Sequence, residues 1–376
     1  MLERSASARQ EALDRRFMAA AIRLSRQHLG LTAENPSVGS LVVREVDGVP
    51  TIVGRGVTAL GGRPHAELQA LGEAGEGARG ATIYATLEPC SHIGKAPPCA
   101  DAIVAAGARR VVIATLDPDI RVAGRGVAIL KRAGIEVDVG CEEVAAKRAM
   151  AGFLTLRAKG RPFVTLKLAV SADGRIGRVG AGQVSITGPI ARRAVQIMRV
   201  EHDAVMVGVQ TVVEDDPLLT VRLDGLAQRS PLRVVVDPLA RTPLAARMFS
   251  ERDCSRVLVL ASAKAQARAV GRLRDRGATV ETITSDYKGR FEPREILRHL
   301  GVRGVKSVLL EGGAETARRF LEAGLVDRIA LFAAETVVGE SGVAAPIAED
   351  SVPPDFNQVG EESFGSDRLI EYERPL

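Results

Sequence analysis

The sequence lacks tryptophan and is poor in aromatic residues, since Phe, Trp and Tyr together make up 3% of its 376 residues. Proteins that bind single-stranded nucleic acid stack bases on aromatic side chains, so this scarcity argues against that function. No run of five or six like charges occurs, and Lys plus Arg exceed Asp plus Glu by only 51 to 46. This dispersed positive charge suits a phosphorylated small molecule at least as well as a nucleic acid.

Long apolar runs are also missing. No stretch of about 18 apolar residues occurs without a charge, so we predict no membrane span. The N-terminal residues carry charges at Glu3, Arg4 and Arg9, which leave no apolar core for a signal peptide. We therefore expect a cytoplasmic protein.

Cysteine is scarce too, with four residues in the chain. That number is too small for a disulfide framework in so long a sequence. Cys90 and Cys99 lie near each other and indicate metal binding or catalysis, whereas the pattern predicts no role for Cys141 or Cys254.

The first part of the chain alternates strand-like and helix-like runs. Apolar residues spaced by three and four predict a helix over residues 11–27. The alternation predicts a layered α/β domain over residues 1–146. The predicted strands are 40–46, 51–57, 82–87, 110–115 and 135–139, and the predicted helices between them are 66–71, 100–106 and 127–132.

A second α/β domain is predicted over residues 162–376. The stretch 147–161 ends in a segment rich in charge, Gly and Pro, and we interpret it as a linker. Buried-strand runs follow it at 163–168, 204–209, 233–237, 256–260, 307–310 and 328–332.

The residues with the clearest chemistry are His65, Cys90 and Cys99. One imidazole and two thiolates give three protein ligands, the number that a catalytic zinc uses while it keeps a fourth position for water. His92 as a fourth ligand would instead indicate a structural zinc, and ordinary buried thiols are a further alternative. We expect His65 and both cysteines at helix starts, where the helix dipole favours thiolate.

Two further residues complete this candidate site. Glu67 lies two residues after His65, and a carboxylate beside a zinc-bound water can carry its proton to a departing amine. A His-x-Glu segment followed by Pro-Cys is typical of zinc nucleobase deaminases. Asn35 precedes the first strand in an Asn-Pro turn, and is either a turn residue or a substrate ligand.

The second domain is less explicit. No Gly-x-Gly-x-x-Gly follows a strand, so the residues do not predict a Rossmann site. Glu311-Gly312-Gly313 stands between a strand and a helix, where it is either a phosphate-binding turn or a simple tight turn. Arg199 and Arg222 can pair with a phosphate, although most arginines are solvated.

These motifs resemble the bifunctional riboflavin-biosynthesis deaminase-reductases, including their eight-residue spacing between the two cysteines. The resemblance covers nearly the whole chain. It rests on the segments 35–39, 64–67, 86–99, 117–126, 167–175, 215–222 and 311–313, and on Thr211.

The resemblance implies two activities on two folds. A cytidine-deaminase-like layered α/β/α domain would use Zn²⁺ and Glu67 to deaminate 2,5-diamino-6-(5-phosphoribosylamino)pyrimidin-4-one. A dihydrofolate-reductase-like α/β domain would then use NADPH to reduce the ribose of the product to a ribityl chain. It also implies that the protein forms a homo-oligomer. Its binding partner would be this phosphorylated pyrimidine ribotide, and it would bind neither nucleic acid nor a membrane.

The resemblance also assigns contacts in the second domain by position. The run 180–185 departs from the family pattern, so the contacts assigned to Gln183 and Ser185 fall where that pattern is not kept. The implied NADPH contacts are Ala169, Ser185, Thr211, Asp215, Gly313, Ala314, Glu315, Thr316, Ala317, Arg318 and Arg319. The implied ribotide contacts are Gln183, Arg199, Leu219, Arg222 and Glu311.

Two other interpretations fit the zinc motif. One is a deaminase of nucleic acids or of other nucleobases with an accessory, non-reductase domain, and the other is a scaffold protein held together by a structural zinc. Only three protein ligands on the metal would count against the scaffold.

Overall fold

The computed structural model of the chain describes residues 2–92, 97–119, 123–250 and 256–375, with side chains from residue 7 onward. Cys254 and residues 93–96 and 120–122, which belong to the motifs above, lie outside these ranges. The chain divides into two compact units, residues 1–159 and 160–376. Residues 147–159 were expected to be a linker, but most of them are helical and belong to the first unit.

The first unit contains, within the described residues, a five-stranded sheet in the order β2-β1-β3-β4-β5. β1 pairs antiparallel with β2 and β3, whereas β3, β4 and β5 are parallel. The elements are α1 (Leu2–Ser25), β1 (Gly39–Val46), β2 (Val49–Val57), α2 (Ala66–Ala74), β3 (Thr82–Ala85), α3 (Cys99–Ala105), β4 (Arg110–Ile113), α4 (Arg125–Arg132), β5 (Glu136–Val139), α5 (Glu143–Ala149) and α6 (Ala151–Lys159).

Helices cover both faces of this sheet. Successive side chains of a strand point to opposite faces, and β1 shows this directly. Leu41 and Val43 belong to a core formed with α1, α5 and α6, whereas Val42 belongs to a core formed with α2, α3 and α4. The predicted three-layer α/β/α arrangement is therefore confirmed.

The close approach of α1 to β1 requires glycine at position 39. A Cβ atom there would lie 2.0 Å from the carbonyl oxygen of Ala21. Helix α1 packs Phe17, Met18 and Ile22 into the core on this face. It begins nine residues earlier than the predicted helix, because the apolar spacing marks only its buried part.

The second unit contains, within the described residues, a nine-stranded sheet in the order β11-β10-β9-β8-β12-β6-β13-β16-β15 and a separate pair β7-β14. The strands from β11 to β13 are parallel, and β16 and β15 are antiparallel. The strands are β6 (Phe163–Val170), β7 (Arg175–Arg178), β8 (Ala204–Gly208), β9 (Leu232–Val236), β10 (Val257–Ala261), β11 (Thr279–Thr282), β12 (Ser307–Leu310), β13 (Arg328–Ala333), β14 (Gly342–Ala344), β15 (Asn357–Phe364) and β16 (Asp367–Glu373).

Five helices of the described chain surround this sheet. Val164 and Leu166 of β6 belong to a core with α10 and α11, whereas Val205 and Val207 of β8 belong to a core with α8 and α9. Val209, predicted as the end of a strand, instead begins α8. The helices are α7 (Pro189–Glu201), α8 (Val209–Asp215), α9 (Ala267–Asp275), α10 (Pro293–Val302) and α11 (Ala314–Glu322).

A buried ion pair joins α1 to the sheet of the first unit. The guanidinium of Arg110 donates two hydrogen bonds of 2.9 and 2.8 Å to the carboxylate of Asp14. The hydroxyl of Tyr84 donates a third, of 2.7 Å. Burial would raise the pKa of Asp14, but the hydrogen bonds from Arg110, Tyr84 and Gln10 outweigh it and lower that pKa.

We expect Asp14→Ala to lower the free energy of unfolding by about 2 kcal/mol, because it removes two charge-assisted hydrogen bonds of the Arg110 guanidinium and leaves it paired with the half-exposed Asp138. Since the pKa of Asp14 is lowered on folding, its contribution is present above the unfolded value and is lost as the pH falls through the folded value. Urea unfolding of the protein, followed by a spectroscopic signal from the first unit at neutral and at acidic pH, measures both the loss of stability and its pH dependence. Glu11→Ala, an exposed change on the same helix, should leave stability unchanged. An equal loss in both variants would contradict the role of the pair.

Candidate functional site

Three predicted metal ligands converge in the first unit. His65 immediately precedes α2, Cys99 is the first residue of α3, and Cys90 lies in the loop between β3 and α3. The expectation from the sequence that Cys90 begins a helix is therefore wrong. Nδ1 of His65 lies 3.6 Å from Sγ of Cys90 and 3.4 Å from Sγ of Cys99.

These separations fit a tetrahedral zinc ion. Zinc lies about 2.3 Å from a thiolate and about 2.0–2.1 Å from an imidazole nitrogen, which in a tetrahedron places nitrogen and sulfur about 3.6 Å apart. Within the described residues, His65, Cys90 and Cys99 are the group of His, Cys, Asp and Glu side chains whose ligand atoms lie close enough to share an ion. His92 lines the same cavity but is not in that group, so three ligands fit a catalytic site better than a structural one.

The N-terminus of α3 nevertheless helps to stabilise the thiolate of Cys90. The backbone N–H of Cys99, in the first turn of α3, donates to Sγ of Cys90 at 3.3 Å. Hydrogen bonds from the Cys99 side chain and from His65 lower the pKa of Cys90 to about 4, against the effect of burial. The N-terminal end of α3 therefore stabilises the thiolate of Cys90, which lies outside the helix.

His65 and Glu67 are held in place by the packing of α2 on β2. A Cβ atom on Gly56 would lie 2.0 Å from the carbonyl oxygen of Ala66, so only glycine allows this approach. Glu67, in the first turn of α2, is 4% exposed and lines the cavity beside the metal ligands. Burial raises its pKa to about 7, a value suited to proton transfer near neutral pH.

The cavity around these residues has a volume of about 460 Å³, within the range of small-molecule sites. Asn35 lies in its wall, and its side-chain amide donates to the carbonyl of Gly62 at 3.0 Å. This bond fixes the orientation of the amide towards the cavity. Charged lining residues to which the sequence assigned no role include Arg157 and, from the segment 117–126, Asp117, Asp119 and Arg125.

Glu88 is another residue to which the sequence assigned no role. Its buried carboxylate accepts hydrogen bonds from the backbone N–H groups of Asp117, Gly124, Gly126 and Val127, at 2.9 to 3.3 Å. Glu88 therefore joins the loop that carries Cys90 to the segments that carry Asp117 and Arg125. Its place two residues before a ligand was a signal, but the partners are distant in sequence.

We expect Cys99→Ala to lose stoichiometric zinc, because two ligands remain of three. Metal analysis of the purified chain gives the zinc content directly. Cys141→Ala is the matched control, since Cys141 is partly buried and does not belong to the ligand group. Full zinc retention in Cys99→Ala would contradict the assigned site.

A second cavity, of about 510 Å³, lies in the second unit. It brings together most residues that the resemblance assigned to cofactor and ribotide. Those that line it are Ala169, Gln183, Ser185, Arg199, Thr211, Asp215, Leu219, Glu311, Gly313, Ala314, Glu315 and Thr316.

Four assigned residues do not line this cavity. Ala317 is buried in the core, and Arg318 pairs with Glu315 and Glu322 on the surface of α11. Arg319 donates to the carbonyl of Phe291, and the backbone N–H of Arg222 donates to Gln196. For Ala317, Arg318 and Arg319, adjacency in sequence is not enough, because a helix turns its successive side chains in different directions.

The turn between β12 and α11 approaches β8 closely. The N–H of Gly313 donates to Oγ1 of Thr211 at 3.0 Å. A Cβ atom on Gly208 would lie 2.7 Å from Oγ1 of Thr316, so a larger residue there would displace the Thr316 side chain. This glycine-lined turn at a helix start is suited to a cofactor phosphate.

Buried charges form another part of this cavity wall. Nε and Nη2 of Arg199 donate to the carboxylate of Glu311 at 2.7 and 2.8 Å. Burial would raise the pKa of Glu311, but Arg199 outweighs it and lowers that pKa. Lys167 lines the same cavity, and burial lowers its pKa. The signal for Lys167 was a lone charge within the apolar strand β6.

Comparisons with known proteins find matches for both parts of the chain. The family model for the RibD C-terminal domain matches residues 162–370, and the model for the cytidine and deoxycytidylate deaminase zinc-binding region matches residues 11–115. The riboflavin biosynthesis protein RibD of Aquifex aeolicus is 38% identical over 96% of this chain and 99% of that protein. The RibD of Escherichia coli K12 is 38% identical over 87% and 89%.

Solved structures show the same agreement. RibD of Acinetobacter baumannii matches with a TM-score of 0.82 and 35% identity, over 97% of this chain and all of that one. A diaminohydroxyphosphoribosylaminopyrimidine deaminase/5-amino-6-(5-phosphoribosylamino)uracil reductase of Thermotoga maritima matches with a TM-score of 0.82 and 36% identity, over 97% and 100%. Among the described residues, the helices are too short or too polar to cross a membrane.

Proposed function

Since the chain belongs to the RibD family of bifunctional riboflavin-biosynthesis enzymes, we propose how its residues divide the two reactions. The enzyme combines a zinc-dependent deaminase with an NADPH-dependent reductase. The proposal rests mainly on one observation: the zinc ligands with Glu67 and the buried charges with a glycine turn lie in separate cavities of separate units.

The first unit hydrolyses the amine at C2 of 2,5-diamino-6-(5-phosphoribosylamino)pyrimidin-4-one. A new C2–O bond forms from water, the C2–N bond breaks, and ammonia leaves. His65, Cys90 and Cys99 would hold a zinc ion, whose Lewis acidity would lower the pKa of the attacking water towards about 7. Glu67 takes a proton from the attacking water and delivers it to the departing amine.

Asn35 orients the heterocycle in this step. Its amide is fixed by Gly62, so it presents hydrogen-bonding atoms to the pyrimidine at little cost in conformational entropy. Phe153 lines the same cavity and contributes an apolar surface to it. The pyrimidine is therefore held in the cavity that also contains the metal ligands and Glu67.

We expect Glu67→Gln to keep its zinc and to lose ammonia release by about 10²–10⁴-fold, because the amide cannot carry the proton. The rate is followed with the ribotide in the absence of NADPH, together with the metal content. Glu73→Gln, the same change at an exposed position of α2, is the matched control. Full activity in Glu67→Gln would remove the proton-transfer role.

The second unit reduces the opened ribose of the deaminated product. NADPH, when bound, supplies a hydride to C1′, where the C1′–N double bond becomes a single bond. The residues that would hold this cofactor are Ala169, Ser185, Thr211, Asp215 and the 313–316 turn. Gln183, Arg199, Leu219 and Glu311 would hold the ribotide.

Lys167 completes the reduction. Its pKa is lowered by burial, so its ammonium gives up a proton more readily than an exposed lysine does. We propose that it delivers the proton that the substrate nitrogen takes up. Glu311 stays ionised beside Arg199 and keeps Lys167 charged until that step.

We expect Glu311→Gln to lower NADPH oxidation by at least about tenfold, since it removes the buried carboxylate that pairs with Arg199 and favours the charged form of Lys167. Ammonia release by the other unit should not change. Glu322→Gln, an exposed change on α11, serves as the control. A parallel loss of both activities would instead indicate a folding defect.

The match of residues 162–370 to the RibD C-terminal domain supports a reductase there over the alternative of an accessory, non-reductase domain. A homo-oligomer and a cytoplasmic location remain predictions. The assignments to Arg222, Ala317, Arg318 and Arg319 also remain predictions, without support from the cavity.

A further inference from the structure

The zinc cavity contains charged residues that the deamination chemistry does not use. Arg125 and Arg157 line its wall, as do Asp117 and Asp119. A third arginine, Arg63, also lines it but lies two residues before a metal ligand. The substrate of this reaction carries a phosphate on its ribose, and the metal ligands, Glu67 and Asn35 provide no group to bind it.

Arg125 and Arg157 line the cavity, and neither is tied up in a direct ion pair within the described residues. Neither guanidinium forms a hydrogen bond with another residue in that part of the chain. Arg157 instead places its guanidinium 5.5 Å from the ring centre of Phe153, which lines the same cavity. This cation–π contact directs the side chain along the cavity wall.

The backbone that carries Arg125 is fixed. The N–H groups of Gly124 and Gly126, on either side of it, both donate to Glu88. A Cβ atom on Gly126 would lie 2.1 Å from the carbonyl oxygen of Pro89, so this segment packs directly against the metal-binding loop. Arg125 therefore starts from a rigid position beside the site.

Side chains, not the helix end, must bind an anion here. The N–H groups of Gly126 and Val127, in the first turn of α4, already donate to Glu88. A guanidinium binds phosphate through two parallel hydrogen bonds, which makes arginine the suitable residue. Arg157 is close enough to Asp117 to counter the rise in pKa that burial gives this carboxyl.

We infer that Arg125 and Arg157 bind the 5-phosphate of the ribotide during deamination. This inference rests on the proposed function of the first unit and extends it to the specificity for a phosphorylated substrate. Asp117 and Asp119 line the same cavity, where their carboxylates would accept hydrogen bonds from the ribose hydroxyls.

The test compares two substrates with the full-length, zinc-loaded enzyme. Ammonia release is measured without NADPH for the ribotide and for its dephosphorylated riboside. In Arg125→Ala and in Arg157→Ala, kcat/KM for the ribotide should fall about 10- to 100-fold, as expected for loss of a charge-assisted hydrogen bond. The value for the riboside should stay within about twofold of the wild type, because that substrate lacks the phosphate.

Controls separate this role from a structural one. Arg132→Ala removes an exposed arginine from the same helix and should change neither substrate. Arg157→Lys should recover part of the loss, since a lysine keeps the charge but not the paired hydrogen bonds. Ribose 5-phosphate should inhibit the wild-type reaction competitively and should inhibit both alanine variants less.

An equal loss on ribotide and riboside, or no loss on the ribotide, would overturn the inference while the deaminase function stands. A wild-type enzyme that releases no ammonia from the ribotide would overturn the proposed function itself, and the inference with it.

Discussion

The zinc cavity depends on one buried carboxylate. Glu88 accepts four backbone hydrogen bonds from the segment 117–127, while its own loop continues directly into Cys90. A buried carboxylate without such partners would be costly, so this arrangement requires both loops to be in place together. The metal ligands on one loop and Asp117 and Arg125 on the other are thereby fixed relative to each other.

The second cavity uses buried charge in a different way. Arg199 and Glu311 neutralise each other through two short hydrogen bonds, and Lys167 lies beside them in the wall. Removing one partner of such a pair leaves an uncompensated charge, so the three residues are interdependent. The first cavity thus relies on backbone N–H groups to hold a carboxylate, and the second on side-chain ions.

Much of the first site was predictable, because its chemistry is local in sequence. His65 and Glu67 are two residues apart, and Cys90 and Cys99 flank one loop, so the pattern alone indicates zinc. Residues whose role comes from tertiary contacts gave no such signal. Glu88 and Arg157 act through partners or a cavity that only the fold creates.

The same reasoning explains the errors in the fold. Strands with an apolar core, such as β6 and β12, were predicted close to their observed bounds. The edge strand β15 is largely exposed and polar, so it shows no apolar run and was missed. Residues 147–159 contain charges that resemble a linker, but Phe153 is buried in the core of the first unit.

The most direct test of the account is the mass of the product formed by the purified enzyme from the diaminopyrimidinone ribotide. Without NADPH, the account predicts a product in which NH is replaced by O. With NADPH, it predicts the further addition of two hydrogens. A product of unchanged mass under both conditions would contradict the account, and deamination without reduction would contradict the function assigned to the second unit.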